Sequence, residues 1–365
     1  MREEGSLPRP AFIEATVLLE NVTFQGLHDC ALYVGVQKNV KARISVTNCR
    51  FLNNSEFVSH SVDERPTVQI EFHDEDPPKC LKQKNKKGKK FLESIKTQIP
   101  VIFEDSIFEN NVGISAALNL LNGNVTLKNC TFKDNEGLTL GGDVYMQPGY
   151  GRLNIIKSTF LQSRMKDGLS YAQQRRISRW GGFLHSESAG PIIVKSSSFT
   201  TSVNRRFDPI FAATKTSSIK VDAASVFRCP SGKQVKLDNM VTTEGFAFTT
   251  GSNKCWIKVN YIKLFCEECP DEFYSLQRGF ATGLDINKTT ACLKCPYGAS
   301  CENGNIKANE NFWGMKISTN ATSLQFFPCP LKYCRSPGGS NHYTYNACHG
   351  NRSGVLCGKC SDGVQ

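Results

Sequence analysis

Cysteine is the residue in this chain whose number and spacing point most clearly to chemistry. Twelve of the 16 cysteines fall between residues 229 and 360 of the 365-residue chain. This density, with short CxxC units and few long apolar runs, is typical of a disulfide-bonded extracellular module. The candidate disulfide cysteines are Cys229, Cys255, Cys266, Cys269, Cys292, Cys295, Cys301, Cys329, Cys334, Cys348, Cys357 and Cys360. Their pairing cannot be deduced from spacing alone.

Two other chemistries fit parts of this set less well. Four thiolates from Cys266, Cys269, Cys292 and Cys295 could bind zinc, but the 22-residue gap between the pairs is longer than in the usual zinc ribbon. The CGKC string at 357–360 has the spacing of a thioredoxin-like redox pair, but no βαβ pattern surrounds it. Disulfides therefore remain the main prediction.

A lysine-rich segment is the strongest charge cluster. The net charge is +11, and residues 79–90 contain seven lysines and no acidic residue. They are Lys79, Lys82, Lys84, Lys86, Lys87, Lys89 and Lys90. One interpretation is an anion-binding arm for a sulfated glycan, a membrane surface or nucleic acid, and the other is a solvated loop. Because no aromatic residue is interleaved, we expect no specific nucleic-acid binding.

The elements that would position these residues come from a repeat counted back from six phenylalanines. The register residues are Phe24, Phe51, Phe108, Phe132, Phe160 and Phe199. Positions −7 and −5 are apolar in every copy, and position −2 is Cys, Ser or Val. A degenerate seventh copy ends at Phe227. One alternating segment in each repeat predicts stacked strands of a parallel β-solenoid, with a bend between positions −5 and −2.

The register also locates an insertion and two cysteines. The 57-residue interval between Phe51 and Phe108 is one ordinary repeat plus an insertion at about 73–98, which carries the lysines. Cys49 and Cys130 share position −2 with one copy between them, so their Cα atoms should lie roughly 9 to 10 Å apart. That exceeds disulfide reach, and we expect no bond between them. Either buried packing or a bridge to Cys30 or Cys80 is possible for each.

Three copies continue with asparagine at position +3, in the strings FLNN, FENN and FKDN. Asn54, Asn111 and Asn135 could adopt left-handed backbone and bond to one another as a ladder. With GGDV at 141–144 and GGFL at 181–184, these strings resemble the FxxN and GGA(I/L) repeats of polymorphic outer-membrane proteins and other pectin-lyase-like β-helices. The resemblance covers about residues 10–228 and implies an all-β, right-handed parallel β-helix.

The Cys-rich part resembles other known proteins. CxxCPYGASC at 292–301, NFWGMK and CHGNRSGVLCGKC resemble the juxtamembrane region of large invertebrate surface proteins, and CPxGxxC resembles modules of ephrin-receptor and EGF-like type. The resemblance implies a small disulfide-rich module and membrane attachment through a C-terminal portion that this sequence lacks. No signal-peptide core or run of about eighteen apolar residues occurs, so we expect a fragment of a secreted or surface protein.

Glycosylation signals agree with an extracellular location. Seven N-x-S/T sequons make candidate N-glycosylation sites of Asn21, Asn53, Asn124, Asn129, Asn287, Asn320 and Asn351. Each motif is weak alone. We expect a protein that is extracellular or on the cell surface.

An enzyme is the natural rival, because the resembled scaffold often carries polysaccharide lyases and hydrolases. Such sites need clustered acidic residues, either to hold Ca²⁺ or to act as an acid/base pair. Position −3 offers only Asp105, Asp143 follows its glycine pair alone, and His185 lies on a predicted strand without an acidic neighbour. We therefore expect no catalytic site, no cofactor and no metal.

These observations predict two domains, a parallel β-helix at 1–228 and a disulfide-stapled region at 229–365. The expected function is a non-enzymatic scaffold for adhesion or recognition of a protein or glycan ligand, without specific nucleic-acid binding. The alternatives are a carbohydrate-active β-helix enzyme and an anionic-glycan-binding module that uses the lysine segment.

Overall fold

The computed structural model is all-β and contains two compact units. It describes residues 13–27, 30–37, 40–55, 67–73, 100–113, 117–121, 123–137, 142–149, 151–165, 182–188, 190–201, 210–214, 219–246, 255–283, 292–318, 323–334, 345–348 and 352–360. The first unit comprises residues 1–200, 207–225 and 237–264, and the second comprises 201–206, 226–236 and 265–365. The predicted boundary at residue 228 stays a prediction.

The first sheet of unit one is parallel and contains the apolar pairs of the repeat. Its strands, in spatial order, are Ile13–Glu20, Val40–Thr47, Pro100–Glu104, Asn124–Lys128, Arg152–Ile156, Ile192–Lys195 and Ile219–Val221. Positions −7 and −5 align across neighbouring strands, as in Val125 beside Leu153. The pairs from Ile44 to Val194 are almost completely buried. Each pair therefore buries its apolar surface against the next copy, as the repeat predicts.

A second parallel sheet follows the same order of repeats. It contains Leu32–Gln37, Val68–His73, Leu118–Leu121, Val144–Gly149, Leu184–Ser188 and Phe211–Thr214. Residues 261–264 of the long strand Cys255–Glu268 pair antiparallel with the last of these strands. The other long strand is Lys233–Phe246. Both long strands are divided between the units.

A third set of short parallel strands contains the register phenylalanines. It consists of Thr23–Gln25, Arg50–Leu52, Ile107–Glu109, Thr131–Lys133, Thr159–Leu161 and Ser198–Thr200. The rings stack face to face with centroids 4.6 to 4.9 Å apart from Phe24 to Phe199. Three two-residue strands, Val112–Gly113, Glu136–Gly137 and Arg164–Met165, form a further parallel sheet. Successive repeats thus add one strand to each main sheet, always in the same order.

The bend between positions −5 and −2 lies at position −3, where each of the six regular copies has left-handed backbone. The φ angles are between 49° and 56° at Asn21, Asn48, Asp105, Asn129, Lys157 and Ser196. Asparagine and aspartate accept this conformation most readily. After the first five register phenylalanines a second left-handed residue lies at position +2, as in Asn53 and Asn110, which is one residue earlier than expected. The asparagine at +3 is the buried ladder residue instead.

Two polar ladders run through the interior of unit one. Asn54 donates to the side chain of Asn111 at 3.0 Å, and Asn111 donates to Asn135 at 3.0 Å. All three asparagines are fully buried. At position −2 the backbone N–H of Cys130 donates to Ser158 Oγ at 3.1 Å, and the same bond recurs in neighbouring copies. The predicted asparagine ladder is therefore confirmed.

The two buried cysteines agree with the register. Cys49 and Cys130 are free thiols, and no disulfide joins them to each other, to Cys30 or to Cys80. The strand Val40–Thr47 pairs directly with Pro100–Glu104. The 57-residue interval between Phe51 and Phe108 therefore separates two neighbouring strands of the first sheet. The predicted insertion at 73–98 lies outside the described residues, apart from His73.

Unit two consists of small antiparallel sheets and disulfides. The paired strands are Val226–Ser231 with Arg278–Thr282, Phe273–Tyr274 with Leu293–Lys294, Ala299–Glu302 with Asn305–Ala308, Phe312–Lys316 with Leu324–Pro328, and Arg352–Ser353 with Lys359–Cys360. Two short 3₁₀ helices are Pro330–Lys332 and Val355–Cys357. Tyr274 is buried at the centre of one apolar cluster and accepts a hydrogen bond from the Leu324 N–H at 2.9 Å.

Ten of the twelve candidate cysteines form five disulfides. The pairs are Cys229–Cys266, Cys269–Cys292, Cys295–Cys301, Cys329–Cys334 and Cys348–Cys357. The zinc hypothesis is wrong because its four sulfurs are committed to three different disulfides. The CGKC hypothesis is also wrong, since Cys357 pairs with Cys348. The side chains of Cys255 and Cys360 are not described. Five disulfides fit an extracellular or secreted protein.

No helix within the described part of the chain is long and apolar enough to cross a membrane.

Candidate functional site

Polar and aromatic side chains line one face of the second parallel sheet. On each strand they alternate with residues such as Val68 and Ile70, so they lie on the opposite face of the sheet from those residues. Neighbouring strands place Tyr33 beside Gln69, and Asn119 beside Tyr145. The set, called the polar row below, is Tyr33, Gln69, Glu71, Asn119, Tyr145, Gln147, His185 and Glu187.

At one end of the polar row a tyrosine reaches a glutamate on the next strand. The Tyr33 hydroxyl donates to Glu71 Oε2 at 3.1 Å, and the amide of Gln69 donates to the other carboxylate oxygen. Gly35 lies opposite Glu71, and a Cβ there would come within 3.1 Å of the Tyr33 hydroxyl. Glycine therefore leaves the space that the tyrosine ring crosses. Tyr33 is 55% exposed, which makes this the accessible end of the row.

The same arrangement recurs at the other end with histidine in place of glutamine. The Tyr145 hydroxyl donates to Glu187 Oε2 at 3.2 Å, and His185 Nε2 lies 3.2 Å from Glu187 Oε1. The Tyr145 and His185 rings stack with centroids 5.5 Å apart. Unlike Tyr33, the His185 side chain is fully buried. The two groups are therefore chemically similar, but the Tyr33 group is exposed to solvent and the His185 side chain is buried.

An amide pair lies between these two groups. Gln147 Nε2 donates to Asn119 Oδ1 at 2.9 Å. Glu71 and Glu187 are three strands apart, which corresponds to roughly 14 Å at the spacing of neighbouring strands. The carboxyl pairs of glycosidases are about 5 to 9.5 Å apart. The two glutamates of the polar row are thus too far apart to act on one glycosidic bond.

The expectation that His185 has no acidic neighbour is wrong. Glu187 follows it by two residues in the string LHSES, and residues two apart on a strand share a face. That signal was available in the sequence. The contribution of Tyr145 could not be predicted from the sequence, because it depends on the pairing of strands about 40 residues apart.

The other acidic candidates have structural roles. Asp105 is a left-handed turn residue whose side chain accepts a hydrogen bond from Asn129. Asp143 is fully buried, and its Oδ1 accepts a hydrogen bond from Asn135 Nδ2 at 2.7 Å. Burial raises the pKa of Asp143 well above 3.8, against the opposing effects of hydrogen bonds from Ser163 and Asn135. Burial therefore favours the protonated form of this carboxyl group, which caps the Asn135 side chain.

The candidate lysines lie outside the described residues, and so do three of the sequons. Those sequons are Asn287, Asn320 and Asn351. Among the described sequons, Asn21, Asn53 and Asn129 are exposed and Asn124 is partly buried. The exposed three lie on turns with positive φ. A glycan on any of them would extend into solvent from a turn.

The chain matches no protein family model, and no similar curated protein or solved structure was found.

Proposed function

We propose that this chain is part of an extracellular or cell-surface protein in which a right-handed parallel β-helix carries a non-enzymatic recognition face. The fixed order in which the repeats add strands to three parallel sheets supports a β-helix. The disulfides of unit two support an oxidising compartment. Adhesion or ligand recognition is the role that this combination suits best.

The observation that carries the proposal is the accessible end of the polar row. Tyr33 offers an exposed ring and a hydroxyl, while Gln69 and Glu71 add an amide and a carboxylate on the neighbouring strand. A rigid aromatic ring with hydrogen-bonding groups beside it suits the apolar face and hydroxyls of a sugar. Because Glu71 would repel anions, the expected ligand is an uncharged glycan.

The experiment is binding of the secreted chain to a printed array of neutral, sialylated and sulfated glycans. We expect retention on neutral glycans and at least about tenfold weaker binding for Tyr33→Ala, which corresponds to about 1.4 kcal/mol. Leu18→Ala is the matched control, because Leu18 is 57% exposed on a strand of the first sheet. Equal binding by both variants would exclude the polar row as the recognition face.

A second measurement separates recognition from hydrolysis. Neutral glycans retained on the array are incubated with the protein in solution, and new reducing ends are measured. We expect none, because the two glutamates of the polar row are roughly 14 Å apart. New reducing ends that are lost in Glu187→Gln would establish the carbohydrate-active enzyme instead.

A further inference from the structure

Two disulfides of unit two bring their sulfur atoms together. Cys329–Cys334 and Cys348–Cys357 are separate bonds, yet the Sγ atoms of Cys334 and Cys357 are only 3.6 Å apart. The sulfurs of Cys329, Cys334 and Cys357 all lie within 4.8 Å of one another. A sulfur released from one disulfide would therefore be in van der Waals contact with the other.

Access to the four sulfurs is unequal. Cys357 is fully buried, and Cys334 and Cys329 are 2% and 9% exposed. Cys348 is partly exposed and lines a cavity of about 470 Å³ together with Trp313, Arg352 and Val355. A small molecule can thus reach this group of disulfides through Cys348. Its attack would leave the buried Cys357 as the departing sulfur.

The surroundings of Cys357 favour such a departure. Leu356 and Cys357 both have left-handed backbone, with φ of 50° and 57°. Residues other than glycine are strained in that conformation. Arg352 donates to the Cys357 carbonyl oxygen at 3.4 Å and lies over the Tyr333 ring. Its permanent positive charge stabilises a nearby thiolate.

We propose that Cys348 is a site of modification by low-molecular-weight thiols and that the modification switches the disulfide pairing of this module. The sulfur of an incoming thiolate bonds to Cys348 Sγ, and the Cys348–Cys357 bond breaks with its electron pair on Cys357. Cys357 then bonds to Cys334 Sγ, and the Cys329–Cys334 bond breaks with its electron pair on Cys329.

The exchange is balanced without an oxidant or a reductant. Two disulfides are present before it, and two are present afterwards, one of them the mixed disulfide at Cys348. The proton of the incoming thiol passes through solvent to Cys329. The products are a modified Cys348, a new Cys334–Cys357 bond and a free Cys329 thiol.

The sequence allows every product to be read by mass spectrometry. Trypsin places the four cysteines on four separate peptides: 317–332, 333–335, 336–352 and 353–359. The folded chain is treated with limiting reduced glutathione, quenched with N-ethylmaleimide and digested. We expect equal amounts of glutathione on 336–352, a link between 333–335 and 353–359, and maleimide on 317–332.

Three outcomes would overturn the proposal. They are no uptake of glutathione by the folded chain, glutathione on Cys329 or Cys334, and maleimide on Cys357 while the Cys329–Cys334 link persists. The first two would exclude Cys348 as the entry point. The third would exclude transfer to the second disulfide.

Two variants test the order of the steps. In Cys329→Ser/Cys334→Ser we expect glutathione on Cys348 as before, but maleimide on Cys357, because the acceptor disulfide is gone. In Cys348→Ser/Cys357→Ser we expect no uptake at this module and an intact Cys329–Cys334 link. Uptake in the second variant equal to wild type would refute entry at Cys348. Folding of each variant is checked by the persistence of Cys229–Cys266, Cys269–Cys292 and Cys295–Cys301.

Discussion

Replacing Asn111 with alanine should destabilise unit one more than any exposed polar substitution. Asn111 is fully buried and its carboxamide makes four hydrogen bonds. Its oxygen accepts from the N–H and the side chain of Asn54, and its nitrogen donates to the Phe51 carbonyl and to Asn135. Alanine would remove all four bonds, although Asn54 Nδ2 would still donate to the Phe24 carbonyl oxygen and Asn135 Oδ1 would still accept from the N–H of residue 111.

The magnitude follows from those four groups. A buried donor or acceptor left unsatisfied costs about 1 to 3 kcal/mol, and a water molecule in the vacated space can recover part of that. Because two of the four groups keep another bond, we expect a loss of about 2 to 5 kcal/mol, comparable with removal of a stacked phenylalanine. Urea unfolding of the oxidised protein measures it as a lower midpoint with an unchanged slope.

Asn154→Ala is the matched control. Asn154 is partly buried on a strand of the first sheet, and its amide donates to Thr126 Oγ1 at 3.3 Å and to Asn124 Oδ1 at 3.5 Å. These longer bonds are partly open to solvent, so we expect a loss of about 1 kcal/mol or less. If the two variants unfold at the same urea concentration, the buried ladder bonds of Asn111 stabilise the fold no more than the partly exposed bonds of Asn154, and the prediction is wrong.

The remaining predictions concern pH, thiol reactivity, backbone space and charge. Burial raises the pKa of Asp143 in the folded state well above its ordinary 3.8, so stability should fall as the pH rises from 3.8 toward the folded-state pKa. Asp143→Asn should therefore flatten the dependence of the urea midpoint on pH between pH 4 and 8. An Asp143→Asn variant whose urea midpoint depends on pH as in the wild type would contradict this. Burial raises the pKa of Cys130 to about 12, so iodoacetamide at pH 8 should not modify Cys130 until urea unfolds the chain. The fully buried Cys49 should be protected in the same way, and labelling of either cysteine in the native protein would contradict this prediction. Gly304 has φ of 76°, and a Cβ there would lie 1.9 Å from the Gly232 carbonyl oxygen. Gly304→Ala should therefore lower the thermal midpoint and reduce the free energy of unfolding by about 1 kcal/mol or more. A thermal midpoint equal to that of the wild type would show that the backbone at Gly232 or Gly304 shifts to make room for the Cβ. The anion-binding hypothesis predicts heparin retention that is lost at moderate salt and abolished by six Lys→Gln replacements, and unchanged retention would reject it. The six are Lys82, Lys84, Lys86, Lys87, Lys89 and Lys90.

The sequence was most informative where one residue type repeats in one column. The apolar pairs, the stacked phenylalanines and the asparagine ladder all follow from a single register, because each copy must bury its surface against the next. The unbridged Cys49 and Cys130 follow from the same spacing. These features depend on position within a repeat, which a sequence displays directly.

Features that depend on partners between different segments could not be predicted in the same way. The bond between Tyr145 and Glu187 requires the register of two strands whose connection varies in length. The pairing of Cys348 with Cys357 is one choice among many that spacing permits. The position of the left-handed residue was missed by one, because asparagines at 53 and 54 are equally suited to it by type.

The asparagine ladder also determines how unit one would respond to mechanical load. Its bonds link each copy to the next, so a pull at right angles to the strands, from one sheet neighbour to the other, loads them in series. The weakest link would then open first, and its neighbours would keep their own bonds. The link from Asn135 to the next copy is one bond, from its backbone N–H to Ser163 Oγ at 3.3 Å, whereas each asparagine link has a backbone and a side-chain bond. The copies would therefore separate first between Asn135 and Ser163, while the asparagine links kept their bonds.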